Sequence, residues 1–133
     1  MKILLLEDNY LILQSIQDKL EALGHTVVAA YDGRAVLDYP EGAFDLLLTD
    51  WQMPYADGIF AIQANGRSGT ATKVILMSSA SLSERVSEYR MTLDEVVEAL
   101  KEGGMLHAFH PKANSPDALL ALVAECDPAN TPA

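Results

Sequence analysis

The stretch Thr49-Asp50-Trp51-Gln52-Met53-Pro54-Tyr55-Ala56-Asp57-Gly58 decides the fold. The apolar run Leu46-Leu47-Leu48 leads straight into Asp50, and Met53-Pro54 and Asp57-Gly58 then break regular structure. A carboxylate at the carboxyl end of a buried strand, on a loop stiffened by proline, is a chemical position more than a packing one. The plainer reading has Asp50 capping a turn. Against it stands a second apolar run, Ile3-Leu4-Leu5-Leu6, which ends in Glu7-Asp8. Two neighbouring strands that end in acids form one site.

The pattern around these runs alternates. Lys2 to Leu6 suits a strand buried on both faces. Asp8 or Asn9 caps a helix whose apolar positions are Ile12, Leu13, Ile16, Leu20 and Leu23, ended by Gly24. His25 to Ala30 forms a second strand, and Arg34 to Pro40 a brief helix. Phe44 to Thr49 is the third strand. Gly58 to Asn65 is a short helix closed by Asn65-Gly66, and Lys73 to Met77 is the fourth strand. Ser81 to Glu84 and Thr92 to Glu95 each fit a capping box, a hydroxyl residue with Glu three places on. They predict two helices, Leu82 to Arg90 and Leu93 to Glu102. Met105 to His110 is the fifth strand, and Ser115-Pro116 opens the last helix.

Alternating strands and helices predict an α/β fold: a doubly wound, five-stranded parallel sheet with helices on both faces. The Leu82 to Arg90 segment is an extra helical insert before the fourth helix. Ligands of such folds sit outside the carboxyl ends of the strands, where strand order reverses. Glu7, Asp8, Asp50 and Ser78 fall at such ends, with Lys112 just past the fifth.

The totals exclude other classes. A chain of 133 residues, 50% hydrophobic and 21% charged, predicts one globular domain over residues 1–126 and a flexible tail over 127–133. A net charge of −10 and a pI near 4.5 argue against direct DNA binding and against an anionic membrane surface. No apolar run approaches the ~18 residues of a membrane span. Strand-like sequence directly after Met1 predicts no signal peptide, and the single cysteine, Cys126, suits a reducing cytoplasm. His25, His107 and His110 lack metal-ligand spacing. Trp51 and Tyr55 flank the acid in packing or partner-contact roles.

Clustered carboxylates repel one another, and a hard divalent cation such as Mg²⁺ relieves that repulsion. Asp50 then suits a nucleophile toward a phosphoryl group, with the Lys112 ammonium and the Ser78 hydroxyl turned to its oxygens.

Glu7-Asp8, Asp50 with Met53-Pro54 and Asp57-Gly58, Ser78, Phe109 and Lys112 together resemble the receiver domain of bacterial two-component response regulators, from Lys2 to about Glu125. The resemblance implies the strand order 2-1-3-4-5. It implies that Asp50 accepts a phosphoryl group from a histidine kinase or histidine phosphotransfer protein. It implies that Glu7, Asp8, Asp50 and the backbone carbonyl of Gln52 bind Mg²⁺, and that Lys112 contacts the phosphoryl group. Ser78 and Phe109 would form the switch. The face of the fourth helix, fifth strand and fifth helix would bind a downstream protein target, as in the stand-alone members of the family.

Two features depart from that pattern. Ala113 stands where the family has a proline joined through a cis bond. A cis bond to a non-proline costs about 3 kcal/mol, which predicts a trans or rearranged loop. Pro111 stands before the lysine instead, a position that fits proline if the fifth strand is an edge. The second departure is the insert, either a surface helix that shapes a partner interface or a gate over the phosphorylation site with Arg85 or Arg90 near the phosphoryl group. Three other readings remain: a phosphorylation-independent binding module on the same fold, a phosphohydrolase, and a flavin-binding domain. The phosphohydrolase lacks an acid at Gln52, and the flavin domain lacks a phosphate loop after the first strand.

Overall fold

The structure is a computed structural model and describes residues 1–130. Five parallel strands are connected by helices: β1 (Lys2–Leu6), β2 (Thr26–Ala30), β3 (Phe44–Asp50), β4 (Ala71–Ser78) and, after a two-stranded hairpin β5 (Arg85–Val86) and β6 (Met91–Thr92), β7 (Ala108–Pro111). Their order is β2-β1-β3-β4-β7, the expected 2-1-3-4-5 arrangement. The helices are α1 (Tyr10–Ala22), α2 (Gly58–Ser68), α3 (Leu93–Glu102) and α4 (Pro116–Cys126). A 3₁₀ helix at Gly33–Asp38 takes the place of the brief helix expected after β2.

Side chains along a strand alternate between faces, and here both faces are covered. Leu4, Leu6 and Leu47 join Val36, α2 and α3 in one core. Ile3, Leu5, Leu46 and Leu48 join Leu13, Leu20, Leu119 and Val123 of α1 and α4 in the other. This is why the central strands read as unbroken apolar runs rather than as alternating ones. Among the described residues, no helix is long and apolar enough to cross a membrane.

The expected helix over Leu82 to Arg90 is not formed. That segment is the β5–β6 hairpin, in which Arg85 pairs with Thr92 and Val86 with Met91. The reason lies at the start of α3, whose first amides need acceptors. Leu93 N donates to Glu84 O at 2.7 Å, and Asp94 N donates to Leu82 O at 2.9 Å. A helix over 82–90 would hold those carbonyls within itself. The Ser81 box therefore closes only a turn, with Glu84 N on Ser81 O. The Thr92 box does form: Thr92 Oγ1 accepts from Glu95 N at 3.2 Å, and Glu95 Oε1 accepts from Thr92 N at 3.1 Å. Thr92→Ala is expected to lower stability by about 1 kcal/mol in urea unfolding.

Smaller shifts have equally local causes. The α2 helix runs one turn past Asn65-Gly66, because the Asn65 side chain bonds both Ala71 N and Ala71 O rather than closing a turn. Its end is Gly69, in the left-handed region at φ 64°. The last strand starts later than expected, at Ala108. Of the expected flexible tail, Pro128–Asn130 form a 3₁₀ turn, and residues 131–133 lie outside the described residues.

Candidate functional site

Strand register assembles the site. Leu6 lies opposite Thr49 across the β1–β3 pair, so Glu7 and Asp50 emerge side by side. Asp50 lies opposite Met77 on β4, and Ser78 lies opposite Pro111 on β7. Lys112 N then donates to Ser78 O at 2.8 Å, which aims the lysine side chain back across the strand ends. Lys112 Nζ reaches Glu7 Oε1 at 2.9 Å and Asp50 Oδ1 at 3.1 Å. Pro111 sits on an edge strand, where its missing N–H costs nothing, and the described chain contains no cis peptide bond. Ala113 in place of proline therefore does not keep Lys112 from the two acids.

Glu7, Asp8 and Asp50 each bring a carboxylate oxygen to within 4.8 Å of the others. Glu7 and Asp50 are buried and Asp8 is exposed. As a carboxylate, Glu7 leaves its buried Oε2 with no hydrogen-bond partner. Burial first, and then a hydrogen bond shared with Asp50, raise the Glu7 pKa to about 7 despite the opposing Lys112. Burial depresses the Lys112 ammonium, but hydrogen bonding to Glu7 and the field of Asp50 outweigh it and hold the pKa above the usual lysine value. One cation among three carboxylates leaves an excess of negative charge and an orphaned buried oxygen. That donor set suits a hard divalent cation.

The remaining expected residues are close in register but differently engaged. Ser78 is buried, and its Oγ accepts from Ala80 N at 2.9 Å. Phe109 pairs with Leu76 and is half-buried against the α3 side of the sheet. Gln52 is exposed on the loop after Asp50. Arg85 and Arg90 form no ion pair with Asp50 among the described residues. Arg85 instead donates to Arg90 O at 3.4 Å within its own hairpin.

The loop after Asp50 is tightly folded. Trp51 N donates to Met77 O, Gly58 N donates to Trp51 O at 2.7 Å, and Ala56 N donates to Pro54 O at 2.8 Å around Tyr55. Tyr55 is left-handed at φ 69°, an unusual conformation for an aromatic residue, and its ring lies 4.5 Å from the Arg34 guanidinium. The Gly58 contact is a structural requirement that the sequence reading missed. A Cβ there would fall 2.2 Å from Asp50 O. The Asp57-Gly58 pair was its only signal.

Comparison with known proteins agrees with this geometry. The sequence model of the response regulator receiver domain matches residues 3–123. The transcriptional regulatory protein CpxR of Escherichia coli K12 is 31% identical over 94 residues, which is 71% of this chain and 40% of CpxR. The chain thus spans less than half the length of that relative. The receiver domain of the Francisella response regulator 1452 superposes with a TM-score of 0.72 at 27% identity, covering 94% of each chain. The BeF₃-activated receiver domain of DrrB superposes with a TM-score of 0.70 at 25% identity, covering 94% of this chain and 95% of that one. By sequence model, sheet order and the meeting of Lys112 with Glu7 and Asp50, this chain belongs to the response regulator receiver domain family.

Proposed function

We propose that this domain is the phospho-accepting switch of a two-component phosphorelay, acting in the cytosol. The observation that carries the reading is the Lys112 ammonium bridging Glu7 and Asp50 at adjacent strand ends. In this reading an Asp50 carboxylate oxygen attacks the phosphorus of a phosphohistidine on a histidine kinase or histidine phosphotransfer protein. The O–P bond forms as the P–N bond breaks, and the departing imidazole keeps the electron pair and takes up a proton. Lys112 passes from the Asp50 oxygen to the phosphoryl oxygens and offsets their charge. Glu7, Asp8, Asp50 and the backbone carbonyl of Gln52 would hold Mg²⁺. When bound, the ion screens the carboxylates and the incoming phosphoryl group from one another.

The product adds nearly two negative charges at one point. Ser78 exchanges its Ala80 amide partner for a phosphoryl oxygen, and Phe109 follows it. The face of α3, β7 and α4 then meets a downstream protein target. With ten excess negative charges, the domain itself does not bind DNA directly. DrrB, solved in its BeF₃-activated form, supports the reading by analogy, because BeF₃ stands in for a phosphoryl group.

The experiment is to incubate the chain with Mg²⁺ and acetyl phosphate and weigh it intact. A gain of one phosphoryl group is expected, absent from Asp50→Asn and absent when the cation is chelated. No gain in a folded, Mg²⁺-binding wild type, or an equal gain in the variant, would overturn it and leave the phosphorylation-independent binding module.

A further inference from the structure

The hairpin builds a second concave feature beside the loop that follows Asp50. Between the loop after Asp50, the outer face of α2 and the tip of the hairpin lies a cleft of about 430 Å³. Its walls include Tyr55, Asp57, Phe60, Gln63, Glu88 and Tyr89. Five Tyr and Phe side chains are exposed among the described residues, and three of them, Tyr55, Phe60 and Tyr89, line this cleft. Tyr89 Oη donates to Gln63 Oε1 at 3.2 Å, so the cleft is closed on one side by a bond between hairpin and helix. No basic side chain lines it. Neither Asp57 nor Glu88 has an ion-pair partner among the described residues.

We propose that this cleft, made by the insert and α2, is a docking site for an arginine side chain of a basic partner protein. The argument is one of complementarity. Aromatic faces attract a guanidinium through their negative π-clouds, and they do so best where water is partly excluded. The Glu88 carboxylate and Asp57 Oδ2, whose companion Oδ1 caps α2 by accepting from Phe60 N, offer acceptors to a planar fork of donors, which lysine cannot match. The molecule already shows this chemistry beside the cleft, where the Arg34 guanidinium lies over the Tyr55 ring without lining the cleft itself. Arg34 is committed to Asp32 at 3.0 Å, which leaves the acids of the cleft unneutralised. A net charge of −10 draws a basic partner in from a distance and repels nucleic acid. The hairpin thus supplies Glu88 and Tyr89 as recognition residues. This inference does not depend on phosphoryl transfer to Asp50.

The test is an NMR titration of the full chain with the pentapeptide Gly-Ser-Arg-Ser-Gly, and with the same peptide carrying citrulline, which keeps the shape and loses the charge. Saturable shifts are expected at the Gln63 side-chain amide and at the Glu88 and Tyr89 backbone amides, with none from the citrulline peptide. Binding is expected to be about fivefold weaker in Glu88→Gln, an exposed and isosteric change that removes one ion pair. Equal shifts from both peptides would mean that an uncharged polar group is the ligand. Shifts scattered over the acidic surface, or no saturation, would mean that no site exists. Either result overturns the proposal.

Discussion

Glu7→Gln should make the protein more stable at pH 8 by about 3 kcal/mol and leave it unchanged near pH 4. The sign follows from the raised Glu7 pKa, about 7 against its ordinary 4.5. Between those values the folded state binds the proton and the unfolded chain does not. Stability from this group is therefore complete below about pH 4.5 and is lost as pH rises through 7. Burial dominates the shift, and Asp50 reinforces it. A glutamine amide keeps an oxygen for Lys112 and can donate toward Asp50, without the buried charge. Urea unfolding of both proteins from pH 4 to pH 8 checks this, and parallel curves would disprove the account. Mg²⁺ separates stability from function in the same experiment. The cation should recover much of the lost stability in the wild type at pH 8, because it binds only the folded carboxylate cluster. It should do little for Glu7→Gln, which has given up one ligand.

Gly58→Ala should cost about 3 kcal/mol or more. A Cβ at Gly58 would lie 2.2 Å from Asp50 O and 3.0 Å from Trp51 Cα. These are backbone atoms, and no rotamer change relieves the clash. Relief requires moving the Asp50 main chain or breaking the Gly58 N to Trp51 O bond that folds the loop. Gly103→Ala provides the contrast. Its Cβ meets only contacts of 3.4 Å and beyond at a negative φ, so the change should be nearly neutral. Thermal melts of the two variants beside wild type settle the matter. A Gly58→Ala protein as stable as Gly103→Ala would show that the loop is slack rather than tightly packed.

Much of this architecture was legible in the residues. The runs Ile3–Leu6 and Leu46–Leu48 read as buried strands, and the acids that end them do meet at adjacent strand ends. Lys112 stood out by its place just past the fifth strand, although the bond that aims it, from its own amide to Ser78 O, is a tertiary fact. The insert was misread for a physical reason. Ser81 to Arg90 carries a valid capping signature and apolar residues at helical intervals. What overrides them is non-local: the first amides of α3 claim the carbonyls of Leu82 and Glu84, and Tyr89 is drawn to Gln63 on another helix. Propensity is a weak prior when tertiary partners compete for the same groups. The steric demand at Gly58 was equally hidden, since nothing in a dipeptide tells how close another backbone will come.

The edge strand β7 is four residues long and ends on Pro111. A foreign strand that tried to extend the sheet there would find a short template, with one amide missing at its end. Self-association or target capture on the α3–β7–α4 face must then be built from side chains, which can discriminate, rather than from backbone pairing, which cannot. That truncation makes the β7 edge a poor template for backbone pairing with another sheet.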